Sequence, residues 1–260
     1  MTPATARPRS IPKHRPSDYQ VWIPSFKRAG AVTTHNLVPH ARIVCHEFER
    51  DAYHKAHAGE SKAQIVVIPD ELQGNIARVR NWILDNADHE NIVMMDDDYD
   101  WLKFIEDGTW QDTDWRHIEK MTSQLIQLAT DIGTGLAGLN VQYDPKFYRA
   151  RTPFSFLSVV LAPYHVHINN PLRYDESLPL KDDYDMWLQA IQKWHKTVRF
   201  NKWVYKVDHH DTPGGCADYR RMSVEREQLE RLQKKWGKAI VRFNLQRSVN
   251  PVLRVPIPGI

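Results

Sequence analysis

Asn91-Ile92-Val93-Met94-Met95-Asp96-Asp97-Asp98-Tyr99-Asp100 decides how this chain reads. An apolar run stops abruptly at three consecutive carboxylates. A continuous apolar run of this length describes a buried parallel strand rather than the alternation of a half-exposed one. The acidic cluster then sits at the strand's carboxyl end, where open α/β sheets place their ligands. Adjacent like charges repel, so the cluster is costly until a cation neutralises it. Hard divalent ions take oxygen ligands and combine one or two carboxylates with substrate phosphates. The competing interpretation is a solvated acidic turn.

Outward from this strand, the first half alternates elements. Tyr19 to Ile23, Ala41 to Cys45 and Ile65 to Ile68 read as strands. Glu47 to Ser61 reads as a polar helix. Ile76, Val79, Ile83 and Ala87 recur at helical spacing behind Asn75, a suitable N-cap. This order argues for a mainly parallel sheet with helices on both faces. Further on, Asp114 to Asp131, Lys181 to His195 and Asp218 to Trp236 read as helices. Leu136 to Val141, Phe156 to Ile168 and Val198 to Val207 read as strands, and Pro251 to Ile260 as an extended or disordered tail. Gly133-Thr134-Gly135-Leu136-Ala137-Gly138 matches the dinucleotide fingerprint by spacing. That fingerprint needs a strand before it and a helix after it. Here the order is reversed, so the glycines are read as a helix end entering a strand.

The chain has 260 residues, 42% hydrophobic and 26% charged, an ordinary globular balance. Its two cysteines form neither a disulfide framework nor a zinc spacing, and no apolar run is long enough to cross a bilayer. A reducing cytoplasmic setting is expected. Residues 1–17 read as a disordered basic arm, 18–215 as the main domain and 216–260 as a basic helix and Pro-containing tail packed on it. The net charge of +3 is uneven: residues 196–260 hold 14 Lys and Arg against 6 Asp and Glu. Such a segment suits a polyanion.

Taken together, Ile23-Pro24-Ser25-Phe26-Lys27-Arg28, Ala77-Arg78-Val79-Arg80-Asn81, Asp96-Asp97-Asp98 and Leu180-Lys181-Asp182-Asp183-Tyr184-Asp185 resemble a GT-A type glycosyltransferase. The opening Val21-Trp22-Ile23-Pro24-Ser25, the Arg80-Asn81 helix and His209-His210-Asp211-Thr212-Pro213-Gly214-Gly215 are similar to the TET/JBP-associated group within it. That group is largely phage-type and proposed to glycosylate hydroxymethylated pyrimidines in DNA. The resemblance spans roughly residues 18 to 215. It implies a Rossmann-like α/β fold, a nucleoside-diphosphate sugar donor (UDP-linked by preference) and Mn²⁺ or Mg²⁺. It also implies double-stranded DNA as acceptor partner and the cytoplasm of a phage-infected bacterium as location. The second acidic motif carries Asp182 where the family more often has Glu.

By resemblance, Asp96 faces the donor, Asp98 binds the metal, and His209 or His210, with His210 preferred, completes its shell. Asp97 is counted with the donor set, although alternation also allows it a structural role. Asp183, with Asp182 beside it, is the candidate general base, at a helix start whose dipole favours a carboxylate. Helix capping is the alternative for both. Arg28, Arg78 and Arg80 can clamp diphosphate, only one of the latter two facing the donor. Asn81 suits a sugar hydroxyl, Glu47 the nucleobase or ribose, and Pro24 and Ser25 the base pocket. Thr212 to Gly215 reads as a turn closing over the donor. His165 and His167 read as structural. Arg220, Arg221, Arg226, Lys234, Lys235 and Lys238 are the candidate phosphate contacts for DNA. Other readings are transfer to a glycan or small molecule, a two-metal nucleotidyltransferase, and a non-catalytic sugar- or DNA-binding module.

Overall fold

A computed structural model describes residues 19–59, 63–207, 214–218 and 220–256. The strands are β1 (Tyr19–Pro24), β2 (Arg42–His46), β3 (Gln64–Ile68), β4 (Asn91–Met95), β5 (Tyr99–Glu106), β6 (Thr109–Asp112), β7 (Leu136–Asn140), β8 (Phe154–Ser155), β9 (Tyr164–Ile168), β10 (Val198–Val207), β11 (Val241–Asn244) and β12 (Ser248–Leu253). The helices are α1 (Arg50–Ala56), α2 (Ile76–Asn86), α3 (Trp115–Ile132), α4 (Asp182–Trp194) and α5 (Met222–Trp236). The main sheet runs β3-β2-β1-β4-β9-β7-β10-β5-β6, with β8 on β10. Strands β3, β2, β1 and β4 are mutually parallel, and so are β7 and β10. Strand β9 runs antiparallel between β4 and β7.

Every residue of β4 is buried, as its unbroken apolar run requires. Its side chains alternate between two cores. Val93 and Met95 join Ile23, Ile43 and the α3 residues Ile118, Met121 and Leu125 on one face. Ile92 and Met94 join Trp22, Val44, Ile83 of α2, Trp187 and Ile191 of α4 and Leu232 of α5 on the other. Helices therefore cover both faces. Asn75 caps α2 by accepting from Ala77 N at 3.0 Å. Asp114 caps α3, which ends at Gly133 with φ 73° before β7 begins, the helix-to-strand order expected of those glycines.

Five features differ from the sequence reading. Of the stretch read as a helix from Glu47 to Ser61, the described part is a 3₁₀ turn (Glu47–Glu49) followed by the short α1, and residues 60 and 61 lie outside the described residues. Only Tyr164–Ile168 of the expected strand 156–168 is strand. The α5 helix starts at Met222 rather than Asp218, and the tail contributes β12 to a hairpin with β11. The β5–β6 hairpin directly after the carboxylates was not foreseen, although its signal is present. Tyr99 to Glu106 is rich in aromatic and β-branched residues, and Asp107-Gly108, both at positive φ (49° and 76°), is a favoured two-residue hairpin turn.

Candidate active site

Three carboxylates leave β4 in three directions. Their backbone is held by the loop after β1: Thr33 N donates to Asp97 O (2.9 Å) and Thr34 Oγ1 to Asp96 O (2.6 Å). Asp97 is buried, accepting from Ser25 Oγ (2.6 Å) and Arg28 Nη1 (2.8 Å). Asp98 accepts from the same Nη1 at 3.0 Å through Oδ2 only. Its Oδ1 is buried and has no hydrogen-bond partner among the described residues. One guanidinium thus faces two carboxylates. Burial, then Asp96 and Asp97, push Asp98 up to about 7, and burial also raises Asp97. An orphaned carboxylate oxygen beside excess negative charge is the donor chemistry a hard divalent ion needs. Among the described residues no group of three His, Cys, Asp or Glu side chains converges to hold a metal. The remaining ligands would come from donor phosphates or from chain outside those residues.

Arg80 organises the other side. Its buried guanidinium donates to Asp182 Oδ2 at 2.5 Å and Asp96 Oδ1 at 3.3 Å, and lies over the Tyr174 ring. Asp96 keeps a side-chain exposure of 25%, against 5% for Asp182, so Asp96 faces the cleft and Asp182 is internal. Arg78 turns outward to Glu176 at 3.2 Å. Asn81 spends its amide on Tyr174, donating to its O (3.0 Å) and accepting from its N (2.8 Å), so it shapes the site rather than presenting a free amide.

Asp182 and Asp183 begin α4, but neither side chain caps it; Lys181 is the N-cap residue. Asp183 Oδ1 accepts from Tyr184 N at 2.8 Å, and burial raises its carboxyl against the pull of Arg80 and Lys181. The dipole does not hold this carboxylate low; desolvation wins. A half-buried carboxyl poised upward is a suitable proton acceptor.

His209, His210 and Thr212-Pro213 lie outside the described residues. Both flanks of that segment lie beside the residues that follow or hold the carboxylates. Val207 pairs with Tyr99, and Gly214 O accepts from Arg28 Nη2 at 3.5 Å. Gly214 has φ 97°, and a Cβ there would lie 2.7 Å from Phe26 O, so only glycine permits this approach.

Pro24 ends β1 opposite Val44, and Ser25 N donates to Val44 O. Glu47 pairs with Arg50 on the surface. The carboxylate reaching the site loop is Glu49, accepting from Lys27 N at 2.6 Å. Glu49, Tyr53 (hydroxyl 2.7 Å from Ser25 Oγ) and Thr34 were missed, because polar groups that brace a loop carry no sequence periodicity. His165 and His167 are buried in a relay. Asn170 Nδ2 contacts His167 Nδ1 (2.9 Å), and His167 Nε2 contacts Tyr174 Oη (2.9 Å). Tyr174 Oη contacts His165 Nδ1 (2.7 Å), and His165 Nε2 contacts Val160 O (3.2 Å). This donor sequence needs both rings neutral with hydrogen on Nε2.

The basic C-terminal residues are partly committed elsewhere. Lys235 pairs with Asp175 (2.7 Å) and buried Asp185 (2.9 Å), and Arg220 faces Glu225 at 3.4 Å. Arg221, Arg226, Lys234 and Lys238 are exposed.

The family model described as TET-Associated Glycosyltransferase matches residues 19–215. Among curated proteins none matches the chain. Solved structures share its fold. A mannosyltransferase from Pyrobaculum calidifontis, in complex with GDP-Man and Mn²⁺, has a TM-score of 0.53 at 9% identity, over 84% of this chain and 62% of that one. The chain therefore spans less than two thirds of that protein. Glucosyl-3-phosphoglycerate synthase from Mycobacterium tuberculosis, with Mn²⁺, UDP-glucose and phosphoglyceric acid, has a TM-score of 0.52 at 10% identity, over 92% and 88%.

Proposed function

The chain belongs to the TET-associated glycosyltransferase family, and from that premise we propose that it transfers a sugar from a nucleoside-diphosphate donor, UDP-linked by preference, to the hydroxymethyl group of a modified pyrimidine in DNA. The observation that carries the donor half is the buried, unpartnered Asp98 Oδ1 at the carboxyl end of β4. Asp98 would hold Mn²⁺ or Mg²⁺, with His209 or His210 as the candidate protein ligand from the adjoining segment. Both fold neighbours were solved with Mn²⁺ and a nucleotide sugar, which supports the same pairing here. Bound metal supplies charge neutralisation for the departing diphosphate.

The chain's own residues do the rest. Asp96, oriented by Arg80, meets the donor's hydroxyls. Arg28 keeps Asp97 and Asp98 in place and, with Ser25, shapes the β1 loop on which the nucleotide rests. Asp183 takes the acceptor's proton as its oxygen attacks the anomeric carbon, and its burial-raised affinity suits that task. In duplex DNA the target base would be flipped into the cleft. Among the described residues no helix is long and apolar enough to cross a membrane. A DNA acceptor puts the reaction in the cytoplasm of a phage-infected bacterium.

The test is nucleoside mass spectrometry on duplex DNA with 5-hydroxymethylcytosine, incubated with Mn²⁺ and a panel of nucleotide sugars beside unmodified DNA. A sugar mass added only to the hydroxymethylated base is the expected result. Metal-dependent donor hydrolysis without addition would redirect the acceptor to a glycan or small molecule, and silence on both counts would favour a non-catalytic module.

A further inference from the structure

The acceptor side of the sheet carries a second cluster that the donor site does not use. Residues Asn140, Gln142, Tyr148, Arg149, Arg199 and Asn201 line a cleft of about 260 Å³. Met94 of β4 and Gly138 of β7 both pair with His165 of β9. Two residues further on in each strand, Asp96 and Asn140 therefore stand level on the same edge. They are two strands apart, roughly 10 Å. Arg199, opposite Gly138 on β10, is one strand beyond.

Arg199 is half-buried. It donates to Asn201 Oδ1 (3.0 Å) and Val159 O (3.5 Å), both neutral, and among the described residues no carboxylate pairs with it. Burial pushes its guanidinium below the ordinary value, whereas Arg28 and Arg80, also desolvated, rise because carboxylates face them. Among the described residues Arg149 meets only the backbone carbonyls of Lys146 and Tyr148. No acidic residue lines the cleft. A desolvated cation without a counter-ion is costly unless an anion arrives. In the segment that supplies most of the cleft, residues 141–157, Tyr143, Phe147, Phe154 and Leu157 are large apolar side chains exposed by 40–65%. Lys146, Arg149 and Arg151 interleave with them, opposed only by Asp144.

We propose that segment 141–157, with the Arg149–Arg199 cleft, is the surface that docks the nucleic-acid acceptor. A backbone phosphate beside the target nucleotide sits on the two guanidiniums, while the exposed aromatics stack on bases or sugars displaced from the duplex. Bidentate guanidinium–phosphate pairing and aromatic stacking are the two modes by which strands are held without sequence readout. This rests on the DNA-acceptor reading. It places the main docking edge here instead of on the α5 face, where Lys235 and Arg220 already face carboxylates.

The experiment is fluorescence anisotropy with a labelled duplex bearing 5-hydroxymethylcytosine, from 25 to ~200 mM KCl. It compares the whole chain with Arg149→Gln/Arg151→Gln, Arg199→Gln and Arg220→Gln/Arg221→Gln. Arg149 and Arg151 are both exposed and bury nothing in the core, which keeps the test valid should Arg199→Gln misfold. The expected result is about tenfold weaker binding for Arg149→Gln/Arg151→Gln, and a salt slope lower by about one for each phosphate that the variant no longer neutralises. Arg220→Gln/Arg221→Gln should bind as the parent. Unchanged binding by Arg149→Gln/Arg151→Gln, or weakening confined to Arg220→Gln/Arg221→Gln, overturns the proposal. So does displacement of the duplex by millimolar inorganic phosphate alone, which would mark a small-anion pocket. Tight, Arg149-dependent binding without sugar transfer would keep the surface and sink the acceptor chemistry instead.

Discussion

At Asp98 function and stability oppose each other. Its carboxyl is raised to about 7 chiefly by burial, so above that pH the folded protein carries a charge it would rather not hold. Asp98→Asn removes the charge and keeps an acceptor for Arg28. It should lower transfer roughly a hundredfold or more while raising the melting temperature of the metal-free protein at pH 8. Near-normal turnover would remove the metal role. His167 is held neutral, its value lowered by burial to about 3. Because the unfolded ring titrates near 6.5, the unfolded state binds the extra proton between those values, and stability is lost as pH falls through that window. The raised carboxylates act in the opposite sense, so the informative quantity is a difference. Between pH 7 and 5, His167→Gln should lose about 2 kcal/mol less stability than the parent, read from urea unfolding midpoints. Equal losses would mean that His167 takes up its proton alike in the folded and unfolded states.

At the scale of elements, the β1 loop and the Gly214-Gly215 re-entry form one unit around Arg28. Gly59 provides a natural comparison: its φ of 95° nearly equals that of Gly214, but among the described residues nothing lies within 4 Å of an added Cβ. Gly59→Ala should cost backbone strain alone, about 1–3 kcal/mol, with donor hydrolysis kinetics unchanged. Gly214→Ala adds the clash with Phe26 O, displacing the chain from Arg28, and should raise the donor KM about tenfold as well. Identical kinetics for both variants would separate this turn from donor binding. The same contrast shows what a sequence can reveal about elements. β4 and the helix behind Asn75 were legible because burial imposes a period on side chains. The stretch 156–163 was misread because an apolar loop packed under Trp187 has the composition of a strand without its pairing.

Across the whole molecule, the donor site was legible because it collects at one sheet edge. Asp96 and Asp98 follow β4, Arg28 lies in the loop after β1 and Asp182 opens α4, while Arg80 reaches the same edge from within α2. What escaped were the bracing partners, such as Glu49 with Lys27 and Glu225 with Lys181, whose meaning exists only after folding. The last pair reaches furthest. Lys181 and Glu225 are both nearly inaccessible, 2.5 Å apart, and Lys181 immediately precedes the two aspartates of α4. Glu225→Ala strands a buried ammonium there and should cost about 3–5 kcal/mol, measurable by chemical denaturation; a cost below about 1 kcal/mol would show the pair to be solvated. The family match stops at residue 215, whereas α5 supplies Glu225, Lys235 and Trp236 to the first turn of α4 and its neighbours. A fragment trimmed to the matched boundary would hold all the side chains proposed for catalysis and still arrive with Asp183, the proposed proton acceptor, unanchored. For anyone cutting or grafting this enzyme, the working unit extends through the final hairpin.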